Sequence, residues 1–376
     1  MARWRALENL VTGLDWRGRR VFITGHTGFK GSWLSLWLAH KGAVVTGYAL
    51  RPPTNPSLFE QARVAEVMTD IDGDVRDMEA LETALRDARP EVVFHLAAQP
   101  LVRYSYDNPI ETYATNVMGT VHLLDACRRV DSVKAVVCIT SDKCYENREW
   151  VWPYRENDPM GGYDPYSSSK GAAELVISAY RRSYFASGPA VASVRAGNVI
   201  GGGDWATDRL VPDIIRALLA GKRPQIRAPR SVRPWQHVLE ALNGYVMIAE
   251  RLMSGDRSFA DGWNFGPSDD DVRPVEWIVE RMLEGWGAQG WDHPGGQHPH
   301  EAKLLSLDCA KARRELGWRP ALNLNATLNL IVDWHRSVAK GLDARSVTVE
   351  QISEYQVKLD CQPIVDGKMG SQYGVD

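Results

Sequence analysis

No stretch of the 376 residues is apolar without interruption for long enough to span a bilayer, so a membrane-embedded protein is not expected. The first residues, Met1 to Glu8, lack the apolar core and cleavage site of a secretory signal. The five cysteines (127, 138, 144, 309 and 361) are odd in number and form no C-x-x-C pair. Free thiols in a reducing, cytoplasmic setting are therefore expected over a disulfide framework. An excess of charge is also missing: the net value is −3, which gives nucleic acid no default attraction. The segment His293 to His300 holds three histidines, but its spacing is broken by proline and no cysteine accompanies it. A surface loop and no metal site is the expectation there. Tryptophan, by contrast, is abundant: fourteen residues, scattered without a repeat and suited to core and interface packing.

The apolar pattern alternates strand and helix through the first half of the chain. Arg20–Thr24 reads as a buried strand, Gly25–Gly31 as a glycine turn, Ser32–His40 as a helix closed by Gly42, and Val44–Ala49 as a second strand. Later strands are expected at Glu91–Leu96, Lys134–Thr140 and Ala190–Arg195, with helices at Met78–Ala88, Asn116–Arg129 and Ser168–Tyr184. This is the rhythm of an α/β doubly wound parallel sheet, Rossmann-like in form. After Gly201-Gly202-Gly203 the rhythm fades. A helix at Leu210–Ala220 leads into a Pro/Arg-rich stretch, 223–235, followed by a return strand at Trp263–Gly266. Helices are expected at 274–285, opened by Pro274, and at 308–316, capped by Asp308. The expected division is a dinucleotide-binding domain over 17–200 with return elements near 235–266. A smaller, mainly substrate-binding lobe over 201–356 and a flexible tail over 357–376 complete it.

Gly25, Gly28 and Gly31 are spaced G-x-x-G-x-x-G between a strand and a helix. Lacking a Cβ, they let the backbone turn tightly against a pyrophosphate at the helix N-terminus. The second strand runs into Leu50-Arg51-Pro52, with no acid for a ribose, and this leaves NAD and NADP both open. Asp74, after the third strand, can hydrogen-bond an adenine amino group. Tyr166 and Lys170 lie at i and i+4 on one helix face, where the ammonium is expected to lower the phenol pKa. Thr140-Ser141-Asp142-Lys143 ends a strand at the sheet edge where such folds bind ligands. There a hydroxyl can orient a substrate, Asp142 can exchange a proton, and Lys143 can act as acid, base or clamp. Asn198 follows the next strand. Arg209, Arg230 and Arg233 lie in the second lobe and suit contacts to a diphosphate.

These motifs resemble the extended short-chain dehydrogenase/reductases: T-G-x-x-G-F-x-G (24–31), G-D-V-R-D (73–77), H-L-A-A-Q (95–99), N-V-x-G-T (116–120) and Y-x-x-x-K. The runs T-S-D-K-C-Y-E-N from Thr140, D-P-Y-S-S-S-K from Asp164 and R-P-W-Q-H-V from Arg233 resemble, more narrowly, the CDP-glucose 4,6-dehydratases. The likeness covers about 16 to 356, including Thr348 to Tyr355. It implies bound NAD, held by Gly25, Thr27, Gly28, Phe29, Gly31, Asp74, Val75, Leu96, Ala97, Ala98, Thr140, Tyr166 and Lys170. It implies CDP-glucose as substrate, met by Gln99, Ser141, Asn198, Arg209, Leu210 and Arg233.

By the same resemblance, Tyr166 takes the C4 hydroxyl proton, Ser141 polarises that oxygen and Asp142 protonates the departing C6 hydroxyl. The related dTDP-glucose dehydratases carry glutamate, the C5 base, where this chain has Lys143. The lysine either is that base, which requires it neutral, or stabilises the enolate. A homodimer through helices 116–129 and 168–184, possible assembly into a tetramer, and a role in bacterial surface-glycan precursors are also implied. Two other functions share part of the pattern: a nucleotide-sugar C4 epimerase, which needs no acid at Asp142, and a redox sensor, which needs no Tyr/Lys pair.

Overall fold

The computed structural model describes residues 13–295 and 304–362. Among them ten strands form: β1 (Arg20–Thr24), β2 (Val44–Ala49), β3 (Thr69–Asp72), β4 (Val92–His95), β5 (Ala135–Ile139), β6 (Ala190–Ala196), β7 (Asn198–Ile200), β8 (Val232–His237), β9 (Gly262–Phe265) and β10 (Val272–Pro274). Seven of them pair in the order β3-β2-β1-β4-β5-β6-β9, every neighbouring pair parallel. The inner strands β4, β5 and β6 are buried at every position. Helices cover both faces, so continuous apolar runs replace the alternation of a one-faced sheet.

One face packs on the helices Phe29–His40 and Val238–Met253, through Trp33, Leu34, Trp37, Leu242 and Tyr245. The helix Ala344–Asp360 joins this layer: Ile352 and Tyr355 belong to the same core, and the Tyr355 ring meets Trp37 edge-on at 5.9 Å. The other face packs on Met78–Ala88, Gly119–Cys127 and Pro165–Ser183 through Leu81, Leu123, Leu124 and Ile177. A third core, including Trp205, Ile214, Trp235, Ile278 and Ile331, fills the smaller lobe. Its own sheet has the order β10-β8-β7. Residues 357–360 continue the last helix, and the expected tail beyond 362 lies outside the described residues.

Four local outcomes differ from expectation. The first helix starts at Phe29, three residues early, because Gly28 takes the extended cap conformation. Pro274 sits in the N-cap position and Val275 opens the helix. The helix expected from Asn116 begins with a π-helical turn, Ala114–Met118. There Asn116 receives the Gln99 amide and donates to the Gln99 carbonyl and to Ser169 Oγ. Such turns recur near functional sites, where a side chain has to leave the regular helical repeat. The 308–316 segment contains a π-helical turn at Ala312–Leu316 and ends at Gly317, whose φ is +75°.

Candidate active site

β1 delivers the glycine turn to the C-terminal edge of the sheet. Gly25 adopts φ +74°, and a Cβ there would lie 2.6 Å from the Ala97 nitrogen. A Cβ on Gly31 would lie 2.2 Å from the Gly25 carbonyl oxygen. Neither position accepts a side chain. Gly28 caps the following helix without a side-chain bond, and the first turn carries no acid. This backbone cradle, with no side chain at Gly25, Gly28 or Gly31 and leading into a helix N-terminus, fits the pyrophosphate of a dinucleotide. Thr27 Oγ1 donates to the Leu50 carbonyl at 2.8 Å and ties the turn to the end of β2. The Phe29 ring lies beneath Gly201.

The other expected cofactor residues line the same edge. The Asp74 carboxylate is gripped by Arg76, which holds it below the usual carboxylate range. Val75 packs on Gly119. The amides of Leu96 and Ala97 bond to Thr24, with Ala98 half-buried beside them. Arg51, which follows β2, lies 3.3 Å from Asp72 on the surface.

Ser141 caps the short turn Asp142–Cys144 at the end of β5. Its Oγ accepts from the Lys143 amide at 3.2 Å and donates to Asp142 Oδ1 at 3.0 Å, and Ser141 acts on the Tyr166 phenol to lower its pKa. Tyr166 arrives on the helix Pro165–Ser183, started by proline and capped by Asp164, which accepts from Ser167 N at 2.9 Å. Asp142 is buried, and burial raises its carboxyl against the lowering pull of Lys143, the Ser141 bond and Arg233. Gly197 makes room for it: a Cβ there would meet Asp142 Oδ2 at 3.1 Å. Behind Thr140, Glu174 accepts Thr140 Oγ1 and Ser193 Oγ while pairing with Arg195 through two parallel bonds of 2.8 Å. Removing either partner of such a buried pair costs about 3–5 kcal/mol, so the end of β5 is held firmly.

One expectation is corrected. The phenol is not low here: burial pushes Tyr166 up to about 12, eased by Ser141. Burial acts on the amine as well and brings Lys170 down to about 8, with Cys144 and Glu174 opposing. The Lys170 cation is thus present below pH 8 and disappears as pH rises through that value. The expected result is an alkaline fall in kcat/KM near pH 8 that moves upward in Lys170→Arg, since guanidinium stays charged. A limb unmoved by that substitution, read from pH–rate profiles, assigns the titration to another group.

Lys30 escaped the sequence reading, although it stands inside the glycine motif. It is half-buried, and burial with the nearby charges of Lys170 and Arg209 lowers it to about 7, against Asp142 and Asp204. A lysine at the second helical position of that turn is the one signal that could have disclosed it.

The second lobe brings Arg209 and Arg233 toward this edge. Arg209 Nη1 donates to buried Asp204 at 3.2 Å, and the charge of Arg233 acts on Asp142. Leu210 opens the helix behind Arg209, and Asn198 pairs in register with Trp235. Gln99 spends its side-chain amide on Leu101 and Thr112, shaping the turn after β4. Arg230 is exposed. Among the described residues no cluster of three or more His, Cys, Asp or Glu could hold a metal. His293 bonds the Ile226 carbonyl, whereas His298 and His300 lie outside the described residues.

A dinucleotide cradle joined to a Ser-Tyr-Lys cluster on a doubly wound sheet defines an extended short-chain dehydrogenase/reductase. Residues 22–331 match the family model described as GDP-mannose 4,6 dehydratase. The CDP-glucose 4,6-dehydratase of Salmonella typhimurium is 58% identical over 347 residues, covering 90% of this chain and 97% of that protein. Among solved structures, dTDP-glucose 4,6-dehydratase of Streptomyces venezuelae with NAD bound gives a TM-score of 0.72 at 26% identity, covering 85% of this chain and 97% of that one. UDP-glucose 4-epimerase of Thermus thermophilus in complex with NAD gives 0.73 at 25%, covering 84% and 99%. The chain belongs to the GDP-mannose 4,6 dehydratase family.

Proposed function

We propose that the protein is an NAD-dependent lyase converting CDP-glucose to CDP-4-keto-6-deoxyglucose and water. The observation that carries this reading is Asp142, a buried carboxyl biased toward its acid form and bonded to the same Ser141 that meets Tyr166. Oxidation at C4 alone, as in epimerisation, has no use for that acid. The 58% identical relative, covered almost end to end, supports the cytidine nucleotide and the 4,6-dehydration together.

The chemistry that bound NAD supplies is a reversible hydride store, filled from C4 and emptied at C6, with a cationic ring that favours the phenolate. The chain's own residues move the protons. Tyr166 takes the proton of the C4 hydroxyl, and Ser141 fixes that oxygen. The 4-ketone acidifies C5, whose proton leaves toward Lys143, either taken by its neutral amine or lost while its cation steadies the enolate. Asp142 gives a proton to the departing C6 hydroxyl, which leaves as water, and C5 regains a proton at the end. Arg209 and Arg233 bind the diphosphate as bidentate cations.

Exposed apolar side chains in two helical regions support assembly as a homodimer. Ile110 is 85% exposed and Met118 46% in one, and Leu175 is 63% exposed in the other. Such a patch on a folded surface marks a partner site. Among the described residues no helix is long and apolar enough to cross a membrane. All five cysteines are free, which supports a reducing cytoplasmic location. A place in surface-glycan precursor synthesis is consistent with a deoxysugar product.

The test is incubation with NAD and, separately, CDP-, dTDP-, UDP- and GDP-glucose, followed by mass spectrometry. The expected result is loss of one water from CDP-glucose alone. Unchanged mass with inversion at C4 on any of them overturns the dehydratase reading.

A further inference from the structure

The run Thr348 to Tyr355 takes no part in the chemistry above, yet three of its polar side chains, Thr348, Gln351 and Tyr355, are deeply buried. Thr348, Gln351 and Tyr355 stand at i, i+3 and i+7 and point inward from the helix Ala344–Asp360. Thr348 Oγ1 accepts from Trp334 Nε1 at 2.9 Å and donates to the Ala344 carbonyl at 2.7 Å. Gln351 Nε2 donates to the Leu330 carbonyl at 2.8 Å. Tyr355 donates to Glu240 Oε2 at 2.8 Å, and Glu240 Oε1 accepts the amides of Ala321 and Leu322. Apolar residues would bury this face at less cost in desolvation. Directional bonds instead set the helix in one position against its neighbours.

What that position controls is Gly202. The Trp334 ring lies against it so closely that a Cβ would fall 2.2 Å from Trp334 Cγ. Trp33 Nε1 also donates to the Gly202 carbonyl at 3.0 Å. Gly203 follows with φ +77° against Leu58, and then Asp204, which holds Arg209. The backbone from Gly202 to Arg209 is therefore held at its root by two indoles, one of them bonded to Thr348.

We propose that the C-terminal helix is a buttress that fixes the reach of Arg209 toward the substrate diphosphate, acting through Thr348, Trp334 and Gly202. Thr348 and Gly202 are positioning residues, and the proposal rests on the reading of Arg209 as a diphosphate ligand. Thr348→Val keeps the shape but leaves the Trp334 N–H without its acceptor, so the indole shifts and Gly202 follows. The expected result is a rise of about tenfold in the KM for CDP-glucose and in the Kd for CDP, with kcat changed less than about twofold. Thr348→Ser restores both constants, because the hydroxyl returns. Gly202→Ala, whose Cβ presses directly on the same ring, raises them as well and serves if Thr348→Val fails to fold.

A merely structural helix gives a different pattern, with lower Tm and less active enzyme but unaltered KM. That result overturns the buttress. Arg209→Met separates the two layers of the argument. If it leaves the Kd for CDP unchanged, the ligand reading fails and the buttress falls with it. If it raises Kd and Thr348→Val adds no further loss in that background, both stand. If Thr348→Val adds its full factor there, the helix acts somewhere other than Arg209 and the proposal is wrong.

Discussion

Tyr166→Phe lowers kcat for CDP-glucose by about a thousandfold, within the range that a positioned acid–base group contributes. The ring is buried on the helix Pro165–Ser183, and phenylalanine keeps its packing, so fold and CDP affinity are expected to survive. What goes is the oxygen proposed to take the C4 proton. The whole reaction depends on that first oxidation, because C5 is not acidic until C4 is a ketone. Single-turnover measurement of the reduced cofactor's absorbance reads this step directly, and calorimetry with CDP checks that binding remains. A loss under about fivefold removes Tyr166 from the role of base. The high phenol pKa of about 12 makes the prediction stricter. A group so reluctant to ionise has to be driven by the bound cationic ring and by Lys170. Lys170→Met is therefore expected to reproduce much of the loss in the same assay.

The core of the fold was legible because it is local and buried on both sides. Arg20–Thr24, Val44–Ala49 and Met78–Ala88 sit where their apolar patterns and flanking signals place them. β8 was not legible. Val232–His237 carries an arginine and a proline, and its partners, Asn198–Ile200 and Val272–Pro274, lie more than thirty residues away on either side. Nothing in its own composition announces a strand. The site divides in the same manner. Tyr166, Lys170 and Ser141 follow from spacing along one helix and one strand end. Gly197 gains its purpose only where the fold lays it 3.1 Å (measured to an added Cβ) from Asp142 Oδ2, and Lys30 only where Lys170 and Arg209 come near it. The phenol pKa failed for a related reason. Spacing shows which charges can meet, whereas burial, which dominates here, is a property of the completed fold.

Asp142→Asn stops elimination while leaving oxidation intact, and adding Lys143→Ala to it tests which group takes the C5 proton. Asparagine fits the space beside Gly197 and keeps an acceptor for Ser141, but it has no proton to give the C6 hydroxyl. Water release is expected to fall by about a hundred- to a thousandfold, the usual contribution of a general acid. The enzyme then stalls as reduced cofactor with a 4-keto-hexose that still carries its C6 hydroxyl. Because that ketone keeps C5 acidic, deuterium from solvent is expected to enter C5 in Asp142→Asn. If Lys143 takes the C5 proton, Asp142→Asn/Lys143→Ala blocks this exchange while the reduced cofactor still appears. If it only steadies the enolate, exchange slows but persists. Full exchange at the Asp142→Asn rate removes Lys143 from the C5 step altogether. Wild-type dehydration rates in Asp142→Asn itself would transfer the acid role to another group, for which Lys30, brought down to about 7 and within the field of Asp142, is a candidate.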